Sequence, residues 1–313
     1  MHPRRPEVRN ALPSRLVAVD DLRPLDSAAE IINFWKARRS HWERRKQKLI
    51  KEQKAWRAAM APTVEKVAGH LELPLFQEML REILYEDMQV VRDLRRGFRV
   101  TGRIPAAGVF GGSAPRRTIP RQAERTAFSV APLPQGAAEP SPPMVPKDAP
   151  RVYETLVSET EGRWMTGPFH RTNLAGPAWD PETRAWVVRP FERFFPALRF
   201  LVQQSTDHGA EPERPVDDFT GNGTNGETTL EEAVRLTTLD EFGQLVDLVS
   251  DAFPSSAGWG SLRLAKVDMQ KAYKQVPAHP DEGPQLVVGV RGPKGDIEYF
   301  VHSVLPFGAS AAP

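Results

Sequence analysis

The sequence predicts an α+β chain that opens with a helical N-terminal region, and three observations carry that expectation. From Ser27 to Ala61 helix-forming residues run with no Gly or Pro, and Trp35, Trp42, Leu49 and Trp56 recur every seven positions. From Ile104 to Pro150 ten prolines are interleaved with Ala, Gly and Ser, and no hydrophobic period survives. From Ala197 onward, short apolar runs bounded by turn residues alternate with one amphipathic helix.

Taken in order, residues 1 to 26 are rich in proline and charge and read as a flexible lead-in. Ser27-Ala-Ala-Glu30 has the capping-box pattern, in which a hydroxyl and a carboxylate three residues on satisfy helix-terminal amides; the helix it opens is expected to reach Pro62. The tryptophan heptad gives that helix a narrow apolar seam on an otherwise wet cylinder. From Lys36 to Arg57 ten Lys or Arg stand against two Glu. Two readings of this helix stand together: it lies on nucleic-acid phosphates through Arg44, Arg45 and Lys46, or it is a solvated helix with an aromatic seam toward the core. A second helix is expected over Leu73 to Arg96, from Phe76, Leu80, Ile83, Leu84, Met88, Val91 and Leu94 at three- and four-residue spacing, with Gly97 as its stop. The chain then divides into a basic helical region (1–103), a Pro/Ala-rich linker or mobile loop (104–150) and a C-terminal unit (151–313).

Residues 151 to 170 read as a short acidic helix running into turns at Gly162 and Gly167-Pro168, and the stretch from there to Pro196 reads as loop. Leu198-Arg-Phe-Leu-Val202 and Arg214 to Phe219 read as two strands joined by a polar loop. Thr229-Leu-Glu-Glu232 and Thr238-Leu-Asp-Glu241 repeat the capping-box pattern, the second opening a helix through Phe242, Leu245, Val246, Leu248, Val249 and Phe253. Leu262, Leu264 and Val267 then suit a buried strand that ends on Asp268. Gln285 to Arg291 and Ile297 to Leu305 read as a hairpin across Gly292-Pro-Lys-Gly-Asp296.

Asp268 is the residue with the most chemistry to offer, because a carboxylate at a strand end can point into a cleft and hold a hard cation; its plain alternative is a cap or turn residue. Three windows stand in a telling order: Arg214-Pro-Val-Asp-Asp-Phe219 with Asn225 beyond it, Asp268-Met-Gln-Lys-Ala-Tyr273, and Val304-Leu-Pro-Phe-Gly308. In that order, over roughly residues 197 to 313, the chain resembles the reverse transcriptases of retroelements. Those enzymes carry an arginine-led fingers strand, a palm strand with Asp-x-x-x-Ala-Tyr, and a Leu-Pro-(Phe or Gln)-Gly segment.

The resemblance implies a partial polymerase right hand, with fingers and an incomplete palm. Its activity would be nucleotidyl transfer from deoxynucleoside triphosphates to a primer 3′-hydroxyl on an RNA or DNA template, with two Mg²⁺ ions. Asp268 would be the first metal aspartate, and the carbonyl of Met269 a further ligand. Gln270, Lys271 and Ala272 would present backbone amides to the triphosphate, and Tyr273 would pack under the sugar. Arg214 would reach the phosphates, while Phe307 and Gly308 would line the nucleotide pocket and template strand. Without the resemblance Tyr273 reads as a core aromatic and Arg214 as a surface ion-pair residue. Two departures from the family stand out. Its second acid pair lies in a (Tyr or Phe)-x-Asp-Asp turn beyond the Leu-Pro-Phe-Gly window, and Asp-Asp occurs here only at 20–21 and 217–218, so this chain is expected to be an inactive fragment. No lysine stands near Gln203 and Gln204, where the family carries one in its fingers. The alternatives are a non-enzymatic nucleic-acid-binding protein built on the basic helix, and an α/β domain unrelated to polymerases.

Composition narrows the classes. The 313 residues contain no cysteine, which excludes disulfides, thiolate metal sites and a cysteine nucleophile, and fits a reducing, intracellular setting. The net charge of +2 hides an asymmetry, with basic residues crowded into the first hundred positions. No apolar run approaches a membrane span, so no membrane partner is expected.

Overall fold

A computed structural model describes residues 28–108, 128–129, 148–203, 205–206, 209–210, 213–232, 238–252 and 271–310. The lead-in at 1–26, the strand expected at 262–267 and most of the linker lie outside these residues.

Four helices open the described chain: α1 (Ala28–Ala58), α2 (Pro62–Ala68), α3 (Leu73–Glu82) and α4 (Gln89–Arg96). The seam of α1 packs increasingly toward its C-terminal end. Trp35 is 62% exposed, Trp42 and Leu49 are half-buried, and Trp56 lies against a cluster of Met60, Ala61, Val64, Leu73, Leu80 and Val91. The single helix expected over 73 to 96 is two. Leu84 adopts a φ of 54°, which a right-handed helix cannot continue through, and Asp87 Oδ1 accepts from the Gln89 amide at 3.0 Å, so that a side chain satisfies a leading amide of α4. The periodicity persists across the break because Met88, Val91 and Leu94 return to the same cluster.

The remaining elements follow in order. Within and beside the expected linker are β1 (Gly102–Ile104) and β2 (Phe128–Ser129), so the region is not wholly without regular structure. Then come α5 (Ala149–Glu161), β3 (Met165–Phe169), β4 (Ala175–Asp180), β5 (Ala185–Pro190), β6 (Arg193–Phe194) and β7 (Ala197–Val202). They are followed by the two-residue β8 (Ser205–Thr206) and β9 (Gly209–Ala210), then β10 (Arg214–Asp217), β11 (Thr228–Leu230), α6 (Leu239–Ala252), β12 (Val287–Arg291) and β13 (Ile297–His302).

A five-stranded sheet in the order β10-β7-β12-β13-β3 positions everything that follows. Both expected hairpin pairings are present, β7 with β10 and β12 with β13, and β12 joins them by running parallel to β7. Alternation divides the two faces. Val288, Val290 and Phe300 pack with Val152 and Leu156 of α5, while Val287, Tyr299 and Val301 pack with Leu174, Phe191 and Phe194. A third cluster joins Val100 to Ala197, Phe219, Leu286 and Leu305, and Trp186 of β5 packs against the cluster of the N-terminal helices.

Three further stretches differ from expectation. Gly167-Pro168, read as a turn, lies inside β3, which pairs antiparallel with β13 at the edge of the sheet, where a proline leaves no ladder bond unmade on the open side. Residues 171–196, read as loop, contain the β4–β5 hairpin, where Trp179 opposes Trp186 in register with ring centroids 5.5 Å apart. Pro177, Pro181 and Pro190 mask this pattern, since proline argues against a central strand but is tolerated in an isolated two-stranded pair. The first of the two later capping-box patterns, Thr229 to Glu232, opens no helix: β11 pairs parallel with β1, and Glu232 accepts from the Ala107 amide at 2.7 Å. The second is a true capping box, with Glu241 N to Thr238 Oγ1 at 3.2 Å and Thr238 N to Glu241 Oε2 at 2.9 Å.

Candidate functional site

Strand register builds the centre of the candidate site. Antiparallel pairing sets Asp217 of β10 directly opposite Arg199 of β7, and alternation turns Arg199 to the face that α5 covers. Arg199 forks onto Asp217, with Nε to Oδ1 at 2.7 Å and Nη2 to Oδ2 at 2.9 Å, and its Nη1 donates to Glu159 Oε2 of α5 at 2.8 Å. His302, closing β13, places Nε2 2.9 Å from Asp217 Oδ2. Lys274, from a 3₁₀ turn at Ala272–Gln275, donates to Glu159 Oε1 at 2.5 Å. Arg199 is 2% exposed and Asp217 3%.

Burial by itself pushes the Asp217 and Glu159 carboxyls up. In both, the Arg199 guanidinium leads the opposing effects, joined by His302 and, at Glu159, by Lys274, and both carboxyls are held below the usual carboxylate range. Burial works to lower Arg199, and its two carboxylate partners outweigh that and raise it. Arg199, Asp217 and Glu159 therefore stay ionised, and the contacts around them lock β7, β10, α5, β13 and the 3₁₀ turn together.

Around this lock the structure gathers several residues singled out in the sequence. Tyr273 and Phe307 meet edge to face, with ring centroids 5.6 Å apart, and Phe307 is 46% exposed. Gly308 sits at φ 105°, where a Cβ would stand 2.6 Å from the Asp217 carbonyl oxygen, so only glycine allows this approach. Its own carbonyl accepts from Asn225 Nδ2 at 2.9 Å, and Asn225 Oδ1 accepts from the Ser310 amide at 2.7 Å. Arg214 is exposed at the start of β10, on the same strand face as Val216, whose Cγ1 lies 3.9 Å from that Cβ position. Ala272 is half-buried in the 3₁₀ turn. Lys271 precedes it in the left-handed region, φ 53°, with Nζ 4.4 Å from the Trp164 ring centroid; Lys274 Nζ is 4.3 Å from the same ring.

Asp268, Met269 and Gln270 lie outside the described residues. Among the described residues no group of three His, Asp or Glu is placed to hold a metal, and Asp217 is buried and committed to Arg199 and His302. One cavity among the described residues, about 20 Å³ and lined among others by Thr63, His302 and Ser303, is room for a water.

The basic helix is partly spoken for. Arg45 forks onto Glu78, with Nε to Oε2 at 2.8 Å, Lys46 pairs with Glu72 at 2.8 Å, and Arg38 pairs with Glu82. Of the three cations expected to contact nucleic acid, Arg45 and Lys46 thus hold α1 to α3, and Arg44 alone is exposed without an ion pair among the described residues. Glu78 and Glu82, one turn apart on α3, and Glu72 just before it meet cations that lie on or beside the tryptophan seam of α1.

Sequence reasoning missed Arg199, Glu159, Lys274 and His302. A signal was present for Arg199, since an arginine between Leu198 and Phe200 in an otherwise apolar strand calls for a buried acid. No helix among the described residues is long and apolar enough to cross a membrane. No family model matches this chain, and neither a curated protein nor a solved structure matches it.

Proposed function

We propose that residues 197–313 are fingers and palm segments of a retroelement-type reverse transcriptase, which transfers deoxynucleotides to a primer end on an RNA or DNA template. One observation carries this reading: residues from three windows far apart in sequence meet at one place. Asn225, beyond the fingers strand, binds Gly308 and Ser310; Gly308 rests on the Asp217 carbonyl; and Tyr273 touches Phe307. A nucleotide pocket needs a sugar-side aromatic and a backbone that approaches closely, and these contacts supply both.

In this reading Tyr273 and Phe307 form the aromatic wall for the sugar and base, and Arg214 reaches toward the phosphates from the same strand face. Asp268 and the Met269 carbonyl would hold magnesium, which activates the primer hydroxyl and neutralises the triphosphate. The buried Arg199 network keeps the wall in place through Asp217 and Lys274.

The test is to read the coding frame past the Pro313 codon and assay the protein so encoded for primer extension. The expected result is a (Tyr or Phe)-x-Asp-Asp turn within a few dozen codons, and magnesium-dependent extension that Asp268→Asn abolishes while the fold is retained. A frame without such a turn, or extension indifferent to Asp268→Asn, overturns the reading.

A further inference from the structure

The pairing of Arg38, Arg45 and Lys46 with α3 sorts the charges of α1 by face. Placing residues at about 100° per position, Trp35, Trp42, Leu49 and Trp56 fall within one arc of about 60°, and the paired cations lie along or beside it. Lys36, Arg44, Lys48, Lys51 and Lys54 fall within an arc of about 120° centred roughly opposite. All five are exposed, and none forms an ion pair among the described residues. From Lys36 to Lys54 the stripe runs about 27 Å along the helix.

We infer that this outer stripe of α1 is a docking surface for a nucleic-acid phosphodiester backbone. Three features favour that partner. The five cations share one side of the helix over that length, so several of them can meet successive phosphates along a groove edge or an extended strand. The positions between them within that arc are Ala37, Ser40 and Gln47, which hydrogen-bond or leave room and do not wedge into a bilayer. The seam side is held by α3, so docking need not disturb the core. The surface differs from the Arg44-Arg45-Lys46 run: only Arg44 belongs to both. Nor does it rest on the polymerase reading, since no residue of the 197–313 unit takes part.

The experiment uses the full chain, without nucleotide or magnesium, and measures binding to a 25-base-pair RNA–DNA heteroduplex, to single-stranded RNA of the same length and to phosphatidylserine vesicles across salt. The double variant Lys48→Glu/Lys51→Glu is expected to lose at least about tenfold in affinity at 0.1 M salt and to flatten the salt slope by about one to two units, on either nucleic acid. The neutral pair Lys36→Gln/Lys54→Gln is expected to shift both in the same direction, which guards against an effect of the new acids on folding. Arg45→Gln, on the α3 side, is expected to leave the salt slope unchanged. Heteroduplex binding tighter than single-strand binding would identify a template-primer helix as the ligand, and the reverse an unpaired strand. Parent-like binding by both stripe variants, an equal loss with Arg45→Gln, or vesicle binding as tight as nucleic-acid binding per phosphate overturns the inference.

Discussion

Asp217→Asn is expected to destabilise the protein by about 3–5 kcal/mol, because it leaves the Arg199 guanidinium buried with half of its compensation removed. The substitution keeps the volume, so the loss is electrostatic and not a cavity. Arg199 would retain Glu159, but the new side-chain amide would turn its NH₂ group toward a cation or His302, a donor where an acceptor stood. Chemical denaturation followed by far-UV circular dichroism reads the effect. The double variant Arg199→Met/Asp217→Leu should recover much of the loss, since removing both charges also removes the cost of burying them. A single variant within about 1 kcal/mol of the parent would show that the ion pair is not the lock described.

The same network sets an acid limit. The Asp217 and Glu159 carboxyls are held below the ordinary range in the folded protein, so the unfolded chain takes up protons first as pH falls. Their stabilisation is fully present above the unfolded carboxylate values of about 4 and is lost as pH drops through that range toward the folded ones. The share of stability that this pair supplies should therefore be constant down to about pH 5 and fall below it, so that denaturation midpoints of Asp217→Asn fall less steeply below pH 5 than those of the parent.

Gly308→Ala is expected to cost about 2–3 kcal/mol and to separate Tyr273 from Phe307. The φ of 105° is strained for any L residue, and the added methyl would stand 2.6 Å from a backbone oxygen that belongs to the locked β10 strand. Neither side yields cheaply: Asp217 is fixed by Arg199, and the Gly308 carbonyl is fixed by Asn225. The relief available is to swing the 307–310 turn outward, which breaks the Asn225 bonds and carries the Phe307 ring off Tyr273. Loss of stability together with altered quenching or chemical shifts at the Tyr273 ring would check this; a parent-like melt would show that the close approach is not maintained. Asn225→Ala, which removes the bonds but adds no bulk, should reproduce the aromatic separation with a smaller loss of stability, about 1–2 kcal/mol.

Local chemistry made much of the fold legible. The Gly- and Pro-free run with its tryptophan heptad predicts α1, the β7–β10 and β12–β13 pairings follow from alternation and turn residues, and the Thr238 box opens α6 because both of its hydrogen bonds close within four residues. The break at Leu84 was not legible, since the apolar period continues through it and a backbone reversal leaves no trace in hydrophobicity. Nor was the β4–β5 hairpin, where proline outweighed the paired tryptophans.

For the site, the sequence by itself determined which residue types are available: an acid after an apolar run, an aromatic five positions on, a glycine after Leu-Pro-Phe, and a helix crowded with cations. Only the tertiary structure decided how they combine. Register put Asp217 opposite Arg199, α5 brought Glu159 to them, and Gly308 came to rest on a strand far earlier in the chain. It also divided the cations of α1, turning Arg45 and Lys46 to α3 and leaving the Lys48 face to solvent. The physical reason is common to all of these. Composition and period act over a few residues, whereas a charge finds its partner, and a glycine its close neighbour, only when the sheet and helices have fixed which distant residues share a face.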